Sequence, residues 1–152
     1  MPKLVFTLEI KAPIKEVWAF YESVESLFVL TPPYIKITLD EPPKPAKQGV
    51  RYALRMRRFG ISLRWLAEYT VFDPPNRFVD RQVDGCGPFG FWHHEHRFEK
   101  TPAGTLLTDT VTYTPPFGLL GSIADQLFIR KDLVKMFAYR HFITKERLEA
   151  ER

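Results

Sequence analysis

Three histidines and a glutamate fill four consecutive positions, His93, His94, Glu95 and His96, within the stretch FWHHEHRF. Side chains of these types ligate transition metals, carry protons near neutral pH, or simply occupy a strand. If the stretch is a strand, neighbours point to opposite faces and the four cannot converge on one ion. His94 and His96 then share a face, and a metal site would need them plus Asp109 or a helix residue. Two histidines and a carboxylate are a known iron or zinc ligand set. One i, i+2 histidine pair with no HExxH or cysteine-rich motif is thin support for such a site, so no metal is expected. An acid–base role asks for less. A half-buried histidine beside an aspartate has a fixed tautomer and can move protons near pH 7, which makes His96 and Asp109 the candidate catalytic pair. The competing reading is that both imidazoles bond to sheet neighbours and shape a semi-polar cavity. The chain contains no nucleophile elbow, P-loop or dinucleotide fingerprint, and no cofactor is expected.

The elements that position these residues follow from periodicity. Leu4, Phe6, Leu8 and Ile10 are apolar on one parity over 3–11, a strand. Pro13 suits a helix start, and Ile14, Val17, Trp18 and Tyr21 recur at helical spacing, extended by Leu27 and Phe28 until Thr31–Pro33 stops the pattern. From Val50 to Tyr113 strands alternate with turn signals at Phe59–Gly60, Asp73–Asn76, Asp84–Pro88 and Thr101–Thr105. The segment from Ser122 to Leu148 holds no Pro or Gly and reads as one long helix. The order describes an α+β fold, a curved antiparallel sheet with helices on one face.

Centring the Asp73–Asn76 turn pairs Ala67 with Gln82, Glu68 with Arg81, Tyr69 with Asp80, Thr70 with Val79 and Val71 with Phe78. Trp65, Tyr69, Phe78, Asp80 and Gln82 then lie on the inner face, and the Glu68–Arg81 ion pair lies outside. Centring the Thr101–Thr105 turn pairs Phe98 with Leu107, His96 with Asp109, His94 with Val111 and Trp92 with Tyr113. A slip of one residue would reverse every face. The shared parity of Trp92, His94, His96 and Phe98 sets the inward side. On the long helix, Ile123, Leu127, Arg130, Val134, Phe137 and His141 form one stripe, in which Arg130 and His141 are either helix-surface charges or groups that orient a ligand.

Bulk properties bound the function. The chain has 152 residues and a net charge of +4, which suits one domain over 1–152 and gives no support for nucleic-acid binding. Thirteen Phe, six Tyr and three Trp supply a large aromatic store for a core or a cavity wall. Cys86 is the single cysteine, the N-terminus lacks a signal-peptide pattern, and no apolar run can span a bilayer, so a cytoplasmic location is expected. Arg55, Arg57, Arg58 and Arg64 flank a hairpin that reads first as a protected solvent edge, and second as a surface for transient contact with an anionic membrane or acidic partner.

With these elements placed, the chain resembles the START/Bet v 1-like (SRPBCC) superfamily, in particular the bacterial polyketide cyclase/dehydrase and coenzyme-Q-binding START-type proteins. The resemblance rests on APIKEVWAFYESVESLFVLTPP, on RWLAEYTVFDPPNRFVDRQVDGCGPFGFWHHEHRFEKTPAGTLLTDTVTYTPPFG and on the helix ending KMFAYRHF. It implies a helix-grip fold, with about seven strands wrapped around the C-terminal helix, two short helices after the first strand, and an enclosed apolar cavity. It also implies binding of a small hydrophobic or amphipathic molecule such as a lipid, quinone or polyketide, or cyclase/dehydratase chemistry in the same cavity. It supplies no catalytic residue to carry over. The expected cavity lining is Trp65, Tyr69, Phe78, Asp80, Gln82, Trp92, His94, His96, Val111, Tyr113, Leu127, Arg130, Val134 and Phe137.

Overall fold

The alternating apolar residues of Lys3–Ile10 form strand β1, and Pro13 precedes helix α1 (Ile14–Glu22). Ile14, Val17, Trp18 and Tyr21 are the buried face of α1, one stripe at 3.6-residue spacing. Ser23 breaks the pattern and caps a second short helix, α2 (Val24–Val29), by accepting from the Glu25 amide. Strands β2 (Lys36–Leu39), β3 (Arg51–Arg58), β4 (Ile61–Asp73), β5 (Arg77–Gln82), β6 (Phe91–Thr101) and β7 (Gly104–Thr114) follow. This computed structural model describes residues 1–150, with the side chain of Val24 excepted; the last two residues of the predicted 1–152 domain lie outside the described residues.

All seven strands join one antiparallel sheet in the order β1-β7-β6-β5-β4-β3-β2. The β6–β7 register pairs Trp92 with Tyr113, His94 with Val111, His96 with Asp109 and Phe98 with Leu107, as the centred turn predicts. Between β4 and β5 the prediction holds from Ala67 to Tyr69 and then fails. A bulge at Thr70 shifts the pairing to Val71–Val79 and Phe72–Phe78. The extra residue rotates the strand, so Phe72, not Val71, packs against Trp18 and Phe78. The predicted Glu68–Arg81 ion pair is absent among the described residues, because Glu68 bonds Arg51 and Arg81 bonds Asp84.

The C-terminal helical segment spans 32 residues, α3 (Gly118–Ala124) and α4 (Arg130–Glu149) joined by a π-helical turn over Asp125–Ile129. Tyr113 of β7 donates its hydroxyl proton to Asp125 at the start of that turn. One wide turn rotates everything upstream relative to α4, and the predicted stripe breaks there. Ile123 and Leu127 are exposed, as are Arg130 and Val134. The buried face of α4 runs instead through Leu133, Phe137 and Thr144, flanked by Met136 and Arg140 on one side and His141 on the other.

Two hydrophobic clusters result. One joins α1 and α2 to the sheet through Trp18, Tyr21, Leu30, Phe78, Phe98 and Leu107. The other lies under α4, through Leu4, Trp92, Val111, Tyr113, Leu133 and Phe137. Strand β6 contributes Phe98 to the first and Trp92 to the second. His94 and His96 occupy the buried positions between them.

The arginine hairpin is mostly committed within the chain. Arg55 and Arg64 both bond Asp40, and Arg58 makes a bidentate pair with Asp132 of α4 at 2.6 and 2.7 Å. The hairpin is not a sheet edge either, since β2 pairs outside it. Its turn residues Phe59 (φ 55°) and Gly60 (φ 74°) are left-handed, as a two-residue primed turn requires.

Candidate functional site

A cavity lies between the sheet and α4 and has two adjoining lobes. The first, about 400 Å³, is lined by Tyr21, Tyr69, Phe78 and His96, with the proline-rich loop Glu41–Ala46 at its mouth. The second, about 370 Å³, is walled by Leu54, Met56, Trp65, Ala67, Trp92 and Phe137. Tyr52, Asp80 and Arg140 line both lobes. They form a polar waist between the apolar second lobe and a more polar first lobe bordered by Glu22, Ser26 and Arg51, with His96 on the first-lobe side and His94 on the other. The combined size suits a small organic ligand.

The waist is built on one buried carboxylate. Asp109 Oδ1 accepts from His94 Nε2 at 2.7 Å and Oδ2 accepts from His141 Nε2 at 2.6 Å. Burial opposes the Asp109 charge, but the hydrogen bonds from His141 and His94 outweigh it and hold the carboxyl far below the usual carboxylate range. An ionised carboxylate only accepts, so both histidines must carry a proton on Nε2. The Nδ1 of His94 then faces Asp80 Oδ2 at 3.6 Å. His96 Nδ1 faces the same oxygen at 3.7 Å and has no hydrogen-bond partner among the described residues.

Burial sets the remaining protonation states. It pushes the Asp80 carboxyl above its usual value, against the opposing pull of His94 and Arg140. Burial, reinforced by His94, pushes the His96 imidazole well below its usual value, so it is neutral at pH 7. Burial, then the charge of Asp80, raises the Tyr52 hydroxyl well above 10.0 and the Tyr69 hydroxyl to about 12, so both are donors at neutral pH. His96 stacks on Phe78, with ring centroids 3.9 Å apart.

Eight of the expected lining residues border the two lobes: Trp65, Tyr69, Phe78, Asp80, Trp92, His94, His96 and Phe137. The other six do not. Leu127, Arg130 and Val134 face solvent, because the predicted helix phase is off by about one residue at Val134 and is broken by the π turn upstream. Val111 and Tyr113 are packed into the core under α4. Gln82 is buried, but its amide spans the backbone of Phe89, donating to the carbonyl at 2.7 Å and accepting from the N–H at 3.1 Å. It closes the loop before β6 and lies outside the cavity wall. Of the candidate catalytic pair, His96 Nε2 stands 4.0 Å from Asp109 Oδ1, beyond hydrogen-bonding reach. The backbone pairs them, but His94 takes the carboxylate.

Sequence reasoning passed over Tyr52, Leu54, Met56 and Arg140. The first three alternate with Arg51, Arg55 and Arg57 in RYALRMR, a strand signal overshadowed by its charges. Arg140 lies at i+7 from Leu133 and i−4 from Thr144, on the true inward face of α4.

Comparison with known proteins agrees with this architecture. The family described as polyketide cyclase/dehydrase and lipid transport matches residues 10–139. No curated protein matches the chain in sequence. A protein of Thermus thermophilus has a similar structure at a TM-score of 0.74, with 21% identity over 99% of both chains. A Chromobacterium violaceum protein superposes at 0.77 with 12% identity, over 98% of this chain and 99% of its own. The AHSA1-like protein of Aeromonas hydrophila superposes at 0.65 with 13% identity, over 96% and 94%. At these identities the structures show the fold alone, and the family match carries the relationship. The chain therefore belongs to the polyketide cyclase/dehydrase and lipid transport family, on a START/Bet v 1-like helix-grip fold.

Proposed function

We propose that this protein binds one small amphipathic molecule, with its apolar body in the lobe under α4 and its polar head at the Tyr52–Asp80–Arg140 waist. The observation that carries this reading is the pairing of a largely hydrophobic chamber with a few convergent polar groups at one end. That combination is what orients a ligand while apolar burial supplies most of the affinity. Family membership supports the same class of ligand, such as a lipid or polyketide. Among the described residues no helix is long and apolar enough to cross a membrane.

An environment-sensitive apolar dye tests this. Leu54→Ala removes a wall of the lobe and is expected to weaken dye binding by about 10-fold, the equivalent of roughly 1.5 kcal/mol of lost apolar contact. Ala67→Phe fills the lobe and should weaken it at least as much, with the fold checked by thermal unfolding. Unchanged dye affinity in both folded variants would remove the lobe as the binding site.

One observation favours a second reading, acid–base catalysis on a carbonyl ligand of the cyclase/dehydratase kind. The Asp109–His94 bond fixes the ring and leaves Nδ1 on the cavity side, beside Asp80, a geometry suited to an oriented general base. This replaces His96 with His94 as the reacting imidazole. Solvent-deuterium exchange at the carbon next to a bound ketone should then fall sharply in His94→Gln while dye affinity survives. Parallel loss of both would leave only a binding role.

A further inference from the structure

We infer that Asp80, His94 and His96 form a site for one divalent first-row transition-metal ion, with further coordination positions open to the cavity. The inference concerns the same cavity but does not depend on which organic ligand fills it. One donor atom from each of the three side chains lies within 4.8 Å of the others. Asp80 Oδ2 is 3.6 Å from His94 Nδ1 and 3.7 Å from His96 Nδ1. Ligands at about 2.1 Å from a tetrahedral ion sit about 3.4 Å apart, so small side-chain rotations close the set.

The electron pairs point the same way. Because Asp109 accepts from Nε2 of His94, Nδ1 is the nitrogen left for a metal, its lone pair available once any proton there is displaced. That nitrogen faces the Asp80 carboxylate oxygen, a second ligand atom of suitable hardness. His96 Nδ1, in a side chain 3% exposed, is aimed at the same oxygen and has no hydrogen-bond partner among the described residues. A divalent cation among these three atoms would displace any proton they hold and give the buried His96 nitrogen a partner.

The surroundings fit too. A histidine ligand whose other nitrogen donates to a buried carboxylate is the usual second layer of a metal site, and the Asp109–His94 bond supplies it. Two neutral imidazoles and one carboxylate suit zinc, iron(II) and their neighbours, and three protein ligands leave room for an exogenous one. The carboxylates of Asp80 and Asp109 balance the charge of a divalent ion. Arg140, which also borders the waist, is then free to pair with an anionic group bound to the metal.

The test is titration of the full-length protein, stripped with chelator, with Zn²⁺ against a chromophoric competitor and with Co²⁺ by visible absorption. One equivalent should bind, and the Co²⁺ bands should be those of a four- or five-coordinate nitrogen–oxygen site. Asp80→Asn and His96→Gln should each weaken Zn²⁺ by more than about 100-fold, and Asp109→Asn by roughly 10–100-fold. His93→Gln, on the opposite face of β6, should bind as the parent does. Each variant is checked for cooperative unfolding, and Asp80→Asn preserves side-chain shape in case His96→Gln does not fold. No equivalent bound by the folded parent, or equal affinity in parent and Asp80→Asn, overturns the site. Dye binding that persists in such a metal-free protein would leave the apolar-cavity reading standing.

Discussion

Asp109→Ala is expected to destabilise the protein by about 3–5 kcal/mol, the usual consequence of removing one partner from a buried charged network. Asp109 is 1% exposed and joins β7 to β6 through His94 and to α4 through His141. Its loss strands two imidazole N–H groups in the interior at once, each costing about 1–3 kcal/mol. In a chain of this length the melting temperature should fall by about 10 °C or more. Asp109→Asn keeps the shape but places amide hydrogens against one histidine N–H, so it should fall between parent and alanine variant. The sign of the pH dependence is fixed by the depressed carboxyl. A group whose folded pKa lies below its unfolded value of about 3.9 contributes stability above that value and loses it as pH falls further. The acid limb of stability, measured in chelator, should therefore be shallower in Asp109→Asn than in the parent. A loss below about 1 kcal/mol in Asp109→Ala would mean that the three-residue network does not hold sheet and helix together.

Phe137→Ala should cost about 3–5 kcal/mol, in the range for truncating a buried aromatic. The ring is 2% exposed and stacks on Phe6 at 4.7 Å and 5°, meets His94 edge-on at 5.1 Å, and lies beneath the Arg140 guanidinium at 5.5 Å. It is the point where α4 grips both the sheet and the waist. Because Phe137 also borders the apolar lobe, truncation enlarges an existing space, and the cost should fall toward the lower end. Phe137→Leu keeps most of the volume and is expected to fold with a loss of about 1–2 kcal/mol, which allows dye binding to be measured. Weaker dye binding in Phe137→Leu with unaltered unfolding cooperativity places the ring at the ligand. A loss under about 1 kcal/mol in Phe137→Ala, by chemical denaturation, would contradict the packing described.

What was legible in the sequence was whatever depended on local periodicity. The parity of Trp92, His94, His96 and Phe98 set the inner face of β6, and a tight turn at Pro102–Ala103 kept the β6–β7 register intact along its whole length. The β4–β5 register failed at Thr70, because nothing in WLAEYTVFD marks which residue bulges. The helix stripe failed for a related reason. A π turn needs only one extra residue, and Asp125, the residue that Tyr113 fixes, looks like any surface acid until β7 lies beside it. The site was half legible. His94, His96 and Asp80 share the inward parity of their strands, but their convergence depends on β5 pairing with β6, which places Asp80 opposite His94 and Phe78 opposite His96. That pairing crosses the Asp84–Gly90 loop, whose length gives no register. Asp109 went to the wrong histidine because backbone pairing names the partner directly across, while long side chains lean along the strand toward the next one.

The three tryptophans divide cleanly between the two halves of the interior. Trp65 and Trp92 wall the lobe under α4, whereas Trp18 packs among Phe72, Phe78 and Phe98 in the other cluster, its indole N–H held by Glu22 at 2.7 Å. The most direct measurement is therefore a titration of ¹⁵N-labelled protein with an apolar probe, following the indole N–H signals. Saturable one-to-one shifts of Trp65 and Trp92, with Trp18 unmoved, are the predicted result. Equal movement of all three, or no saturable shift of either lobe tryptophan, would contradict a ligand chamber under α4.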